Sequence, residues 1–270
     1  MIRSTAAVLL AAAGTLAACA SSPPANGERP ARPTIVSLNP CADAILAETA
    51  EPAQILAISH YSHDPRASSM DMLTARRFRS TGGTAEEVLA LDPDMVVAST
   101  FLAPATRAAL ENSGIRVESV GMVSSVAESR RQVMQIATLA GDPAAGRALV
   151  AQIDRAAKPV EGPREKAVLW QAGGIVPGGS ALVSELLGLA GFDNFTAERG
   201  LAQAAYLPLE RVLADPPDLL LVSGSEAGQS HPVLSDVPDM RIARFDPSLV
   251  YCGGPTIIRA MERLVALRRG

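Results

Sequence analysis

The chain has 270 residues, of which 48% are hydrophobic, 3% aromatic and 19% charged, with a formal net charge of −4. That length suffices to bury a full core in one large or two small domains. The acidic balance leaves no basic footprint for nucleic acid, and beyond the N-terminus no apolar run reaches the 18 or so residues that a membrane span needs.

The N-terminus reads as a targeting segment. Met1-Ile-Arg3 supplies a small basic region, and Ala6 to Ala13 a short apolar one. Leu16-Ala-Ala-Cys19 then fits the bacterial lipobox, whose cysteine is lipidated and becomes the mature N-terminus. It also fits ordinary signal cleavage after Ala18. Residues 1–18 are therefore assigned as a signal peptide, and 19–33 as a Pro/Ser/Ala tether anchored by lipid at Cys19 on an exported, periplasmic protein. In an oxidising compartment the two remaining cysteines, Cys41 and Cys252, admit three readings: a disulfide, two ligand-facing thiols, or two small buried hydrophobes.

Thr34–Leu38 is a short β-rich run ending in Asn39-Pro40, followed by a helix over 41–49 and a strand over 54–59. His60-Tyr-Ser-His-Asp-Pro65 is a polar loop at that strand's exit. Thr84 can cap the next helix, and strand 95–98, a helix opened by Pro104 and strand 115–120 follow. This βαβα rhythm predicts a parallel sheet covered on both faces. Ser125-Val-Ala-Glu128 is a capping box, with Val126, Val133, Ala137 and Ala140 on one helical face. Asp142 as N-cap and Pro143 at the first turn start another helix, which reaches about Lys158 and so spans about 24 Å. Such a helix can act as a stiff strut. Beyond it the rhythm resumes with strand 166–171, the Gly-rich loop 172–179, a helix capped by Ser180, strand 241–245 and a terminal amphipathic helix.

One stretch occurs twice. Glu86 to Ser99 (EEVLALDPDMVVAS) is echoed at Glu210 to Ser223 (ERVLADPPDLLLVS), with seven of the fourteen pairs identical; about one match is expected by chance. Each copy reads as a short helix opening on Glu, a Pro-containing stop and a buried strand. Two copies predict two related lobes. The expected fold is α/β: parallel-sheet lobes of Rossmann-like character over 34–141 and 161–270, joined by a single backbone helix over 142–160. Ligands of open α/β sheets sit beyond the carboxyl ends of the strands. Those ends come from both lobes here, which predicts one shared cleft.

The residues near those ends are the candidates for ligand binding: Asn39, Cys41, His60, Tyr61, His63, Thr84, Phe101, Trp170, Gly173, Gly174, Tyr206 and Cys252. Aromatic residues are scarce, so Tyr61, Phe101, Trp170 and Tyr206 near loops are candidate stacking faces for a macrocycle or aromatic chelate. His60, His63 and His231 offer an alternative, direct ligation of a transition-metal ion by a receptor or sensor. The glycine-rich loops match no phosphate-binding fingerprint. Gly178-Gly-Ser-Ala-Leu182 misses the nucleophile elbow because Leu182 replaces the final glycine. No catalytic set has supporting context and no cofactor is expected.

The chain also resembles the periplasmic substrate-binding proteins of vitamin B12, haem and siderophore ABC importers. The resemblance is carried by Arg32-Pro-Thr-Ile-Val-Ser-Leu-Asn-Pro40, Ile58-Ser-His-Tyr-Ser62, Gly82–Asp94, Leu209-Glu-Arg-Val-Leu-Ala and Cys252-Gly-Gly-Pro255. It implies a monomer with two lobes on one backbone helix, no enzymatic activity, and a metal-chelate ligand such as a corrinoid, ferric siderophore or haem. It further implies that one surface glutamate per lobe, Glu86 and Glu210, docks into arginine pockets of an ABC permease dimer. Tyr61 falls where the cobalamin binders place a stacking tyrosine. Ser80 and Ser99 lie where those proteins carry tryptophans, and their C-lobe arginine contact aligns near Cys252, a departure from the cobalamin pattern itself.

Overall fold

The computed structural model describes residues 32–201 and 204–270, so the signal peptide and the Cys19 anchor lie outside the described residues. Arg32, assigned to the tether, belongs to the folded body. Its guanidinium pairs with Asp142 at 3.0 Å and Glu51 at 3.3 Å.

Apolar runs bounded by turn residues give two parallel sheets. β1 (Ile35–Ser37), β2 (Ile55–Ser59), β3 (Ser80–Thr81), β4 (Met95–Ser99) and β5 (Arg116–Val120) are ordered β3-β2-β1-β4-β5. They alternate with α1 (Pro40–Thr49), α2 (Met72–Ala75), α3 (Ala85–Leu89) and α4 (Pro104–Asn112). Two longer helices follow, α5 (Val126–Leu139) and α6 (Pro143–Ala156). The second sheet, ordered β11-β10-β6-β8, contains β6 (Glu165–Gln171), β8 (Phe192–Asn194), β10 (Leu219–Ser223) and β11 (Arg241–Arg244). A separate antiparallel ribbon pairs β7 (Ile175–Pro177) with β9 (Ala204–Tyr206). The helices of this lobe are α7 (Leu182–Leu189), α8 (Leu209–Ala214) and α9 (Pro255–Arg268).

The duplicated stretch folds into α3–β4 and α8–β10, and it delivers an inner strand, second from one edge, to each sheet. Met95 pairs with Ile35 on one side and Arg116 on the other. Leu219 likewise sits between Ala167 and Arg241. The shared aspartate has one job in both copies. Asp94 accepts the N–H and hydroxyl of Thr34 at 2.7 and 2.8 Å, and Asp218 accepts the N–H of Lys166 at 2.7 Å. Each therefore satisfies a donor at the start of the neighbouring strand.

A single apolar core runs through both lobes. Ile45 of α1, Ile136 of α5, Ile153 of α6, Leu187 of α7 and Met261 of α9 belong to one buried cluster. The outer face of the first sheet is closed by Val88 and Leu110, and that of the second by Val212 and Phe195. Helix α6, about 21 Å long at 1.5 Å per residue, is thus no isolated strut; it lies in a helical layer common to both halves.

A latch reinforces that layer. Cys41 at the start of α1 and Cys252 before α9 form a disulfide, with Cα atoms 5.2 Å apart. Two residues on, Gly254 has φ +61°, and a Cβ there would lie 2.6 Å from Ile45 Cγ1. Only glycine lets α9 begin so close to α1. The Gly254 N–H donates to Ser129 Oγ of α5 at 2.7 Å, and the Val126 N–H donates to Glu185 of α7 at 2.9 Å.

Several elements differ from expectation. Ser125 caps α5 through the Glu128 N–H, but Glu128 returns its bond to the Ser124 N–H, at 2.7 Å, in place of Ser125. Helix α7 begins after Ala181, so Ser180 is not its cap. The Gly-rich loop contains β7, because β9, some 30 residues later, supplies its partner.

Candidate functional site

A cleft of about 1170 Å³ opens at the carboxyl ends of the strands, the place where parallel sheets expose loops. Its volume is at the large end for small-molecule sites. The floor is made by the exits of β10 (Val222–Glu226) and β11 (Arg244–Pro247), and one side wall by Ile175 and Pro177 of β7. Met122 and Val123, after β5, face it from the first lobe, and Arg66 stands at the same edge.

The walls are largely apolar. Met122, Ile175 and Tyr251 are large apolar groups left exposed there. Tyr251 is 61% exposed; its hydroxyl donates to Gln171 Oε1 at 2.9 Å, which fixes the ring as a flat face beside the opening. The acidic groups of the floor are committed to backbone donors: Glu226 accepts the Gly173 N–H at 2.7 Å and Asp246 the Ser248 N–H at 2.8 Å. The guanidinium of Arg244 donates to Gly224 O and that of Arg263 to Arg244 O, so neither is neutralised by a carboxylate among the described residues. The site can hold a large, mostly apolar ligand with an anionic edge.

None of the residues expected to bind ligand is among those lining this cleft. Trp170 is 4% exposed and packs on the outer face of the second sheet, its Nε1 donating to Leu207 O at 2.8 Å. It is a core residue, since burial of the indole with its one donor satisfied outweighs any exposed stacking role. Cys41 and Cys252 are oxidised to the disulfide, which removes the reading as ligand-facing thiols. Asn39 caps α1 by accepting the Cys41 and Ala42 N–H groups, and Thr84 caps α3 by accepting that of Glu87. Gly173 and Gly174 take positive φ, and a Cβ on Gly174 would lie 2.8 Å from the Tyr206 ring. Tyr206 is exposed above it on the ribbon. Tyr61, its ring 4.1 Å from that of His60 and tilted by 34°, and Phe101 stay exposed at the carboxyl ends of β2 and β4.

The histidines do not assemble. His60 Nδ1 lies 3.3 Å from Thr81 O, His63 Nε2 3.0 Å from Ala75 O, and His231 Nδ1 accepts the Val233 N–H at 3.2 Å. Among the described residues no group of three His, Cys, Asp or Glu side chains is arranged to hold a metal ion. The three histidines of the direct-ion alternative thus form no such group among the described residues.

Sequence reasoning places Ser223 and Gly224 at a strand's carboxyl end, where they line the cleft, but passes over Tyr251 and Arg244. Tyr251 adjoins Cys252 and was visible as a scarce aromatic next to a loop, whereas the arginines look like any surface cation until β11 is placed. Asp43, wholly buried on α1, also escaped notice. Its Oδ2 accepts the Ser59 N–H at 3.0 Å and the Ser62 hydroxyl at 2.6 Å, which fixes the turn bearing His60 and Tyr61. The Ser37 hydroxyl also faces it while bonding Asn39 O at 3.3 Å, and Oδ1 is left without a partner. Burial pushes its carboxyl up to about 7, with the hydrogen bonds of Ser37, Ser62 and Ser59 opposing.

The family model for periplasmic binding proteins matches residues 35–239. The chain belongs to this family. Solved structures agree on the fold. The periplasmic haem-binding protein HutB of Vibrio cholerae is 23% identical, with a TM-score of 0.71 over 88% of this chain and 99% of that one. The periplasmic haem-binding protein RhuT from Roseiflexus sp. RS-1 is 22% identical, with a TM-score of 0.68 over 87% and 97%. The periplasmic vitamin B12 binding protein BtuF of Vibrio cholerae is 17% identical, with a TM-score of 0.65 over 87% and 96%. A search of the curated proteins finds no match. Members of the family are substrate-binding proteins for transport.

Proposed function

We propose that the chain is the solute-binding lipoprotein of an ABC importer, taking up a metal chelate of the corrinoid, ferric siderophore or haem class in the periplasm and passing it to the permease dimer. The observation that carries this reading is the 1170 Å³ cleft, large, apolar-walled and open between two α/β lobes. The haem and vitamin B12 binders that share the fold support the ligand class. Anchoring is assigned to Cys19 and contact with the permease to Glu86 and Glu210. These glutamates lie in the first turns of α3 and α8, one per lobe, exposed and without a partner among the described residues. Glu87 beside the first is occupied, accepting from Thr81 Oγ1 at 2.8 Å and the Gly83 N–H at 3.1 Å. Equivalent carboxylates on a rigid body suit a twofold partner.

Titration of the purified chain with haemin, cobalamin and ferric chelates, followed by absorbance and by thermal shift, tests the ligand class; no response to any of them overturns it. For docking, Glu86→Ala with Glu210→Ala is expected to leave chelate affinity unchanged while abolishing uptake in cells.

A further inference from the structure

The chain is acidic overall, yet residues 66–79 hold four arginines against a single acid, Asp71. Arg66 is paired with Asp64 at 3.1 Å, and Asp71 caps α2 by accepting the Thr74 N–H at 2.9 Å. Arg76, Arg77 and Arg79 are exposed, and among the described residues none of their guanidiniums meets a carboxylate or any other acceptor. Beside them Leu73 of α2 is 78% exposed and lies outside the ligand cleft.

Local packing turns these groups the same way. Leu73, Arg76 and Arg77 stand three and four residues apart on α2 and its closing turn, where the Arg77 N–H donates to Thr74 O at 3.1 Å, and so share one side. Ala75 and Phe78 are buried and hold the segment to the core, and Arg79 turns outward again as the chain enters β3. The duplication supplies an internal control. Its offset of 124 residues carries β3 onto the first residues of β9, and carries Arg76, Arg77 and Arg79 onto Gly200, Leu201 and Gln203. The second lobe has no counterpart of the basic turn. A twofold permease would meet it on one side only, so it fits a partner without that symmetry.

We propose that Leu73 and the turn Arg76–Arg79 form a contact for an anionic lipid surface. The arginines face headgroup phosphates and the bare leucine enters the boundary beneath them, a pairing of cations with an apolar tip that suits a membrane interface. The thirteen peptide links from Cys19 to Arg32 span at most about 45 Å, a distance comparable with the width of a domain of this size. A lipid at Cys19 therefore holds the body near a bilayer without choosing which face meets it, and the basic turn makes that choice. Glu86 opens α3 five residues past the two-residue strand β3, so the turn and the docking glutamate of the first lobe lie at the same edge of the sheet. The inference takes from the importer reading only the lipid anchor, and nothing about the ligand.

The test removes the lipid so that the surface acts alone. The mature chain with Cys19→Ala is sedimented with vesicles of phosphatidylcholine, and with vesicles in which about a third of the lipid is phosphatidylglycerol, in dilute buffer and in about 0.5 M salt. Partitioning at least tenfold stronger onto the anionic vesicles is expected, and its loss in high salt. Arg76→Gln, Arg77→Gln and Arg79→Gln together should erase that preference, and Leu73→Ser should weaken binding severalfold while its salt dependence stays. Neither change should lower the melting temperature, because these side chains make no hydrogen bond or ion pair within the described residues. None of the four lines the cleft, so chelate titration should be the same in every variant. Equal partitioning onto neutral and anionic vesicles, or partitioning that survives the triple change, overturns the contact. A dimer in solution that the triple change dissociates also overturns it and gives the patch to a second copy. The chelate titration involves no vesicles, so the contact and the ligand reading fail separately.

Discussion

Asp43 shows how one buried side chain can carry a measurable signature. Its carboxyl stands near 7 because burial penalises the charge more than its hydrogen bonds relieve it. Between the ordinary value of 3.8 and about 7 the folded chain holds a proton that the unfolded chain has released. Its contribution to stability is therefore complete below that window and is lost as pH rises through 7, with a slope of at most about 1.4 kcal/mol per pH unit. Asp43→Asn should flatten this part of the profile in denaturation midpoints measured from pH 4 to 8, and an unchanged slope would assign the titration elsewhere. Trp170 makes the opposite point. Trp170→Phe strands the buried Leu207 carbonyl, so a loss of about 1–3 kcal/mol is expected, with chelate affinity unaltered. Scarcity made the indole stand out in the sequence, but scarcity says nothing about which face of a strand a side chain takes. In β6 successive residues alternate between two covered faces, both of which read as apolar.

At the scale of elements, the long periodic or well-punctuated segments were legible. Helices α1, α3, α4, α5, α6 and α9 and strands β1, β2, β4, β5, β6, β10 and β11 lie within a few residues of their expected bounds, and Asn39, Thr84, Ser125 and Asp142 cap α1, α3, α5 and α6 as their chemistry requires. Strands β7, β8 and β9 were not legible. Unlike β1, which sits in the apolar run Thr34–Leu38, each is embedded in a turn-rich stretch and owes its form to a partner distant in the chain. The cleft was legible in its place at the carboxyl ends of the strands but not in its lining, because its floor exists only once β10 and β11 are adjacent. Cys252-Gly-Gly-Pro255, a point of resemblance whose cysteine also admitted a disulfide reading, proves to be the seat of the latch. Gly254→Ala forces a Cβ to 2.6 Å from Ile45 Cγ1 at a φ that side chains avoid, and a loss of about 2–4 kcal/mol is expected in urea denaturation. A stability within 0.5 kcal/mol of the parent would show that α9 can shift away from α1 at little cost.

At the scale of the molecule, the two lobes are held by more than one connecting helix. The common core through α1, α5, α6, α7 and α9, together with the disulfide, sets a fixed relation between the sheets. A small closure on ligand is expected from this, with the spacing of Glu86 and Glu210 nearly the same with and without cargo, which small-angle scattering of the free and loaded chain would check. Because the disulfide spans 211 residues of sequence, the double change Cys41→Ser, Cys252→Ser should cost about 3–5 kcal/mol in urea denaturation under oxidising conditions. The parent with reductant should match the variant.

The same bond turns the chain from Cys41 to Cys252 into a covalent ring that encloses nearly all of both sheets. One cut by a protease anywhere inside that ring opens it without releasing a fragment, so a nicked protein migrates as two pieces in a reducing gel and as one without thiol. For a receptor exposed to the hydrolases outside the cytoplasm, such a closure lets damage to a surface loop leave the halves, and the groove they share, together.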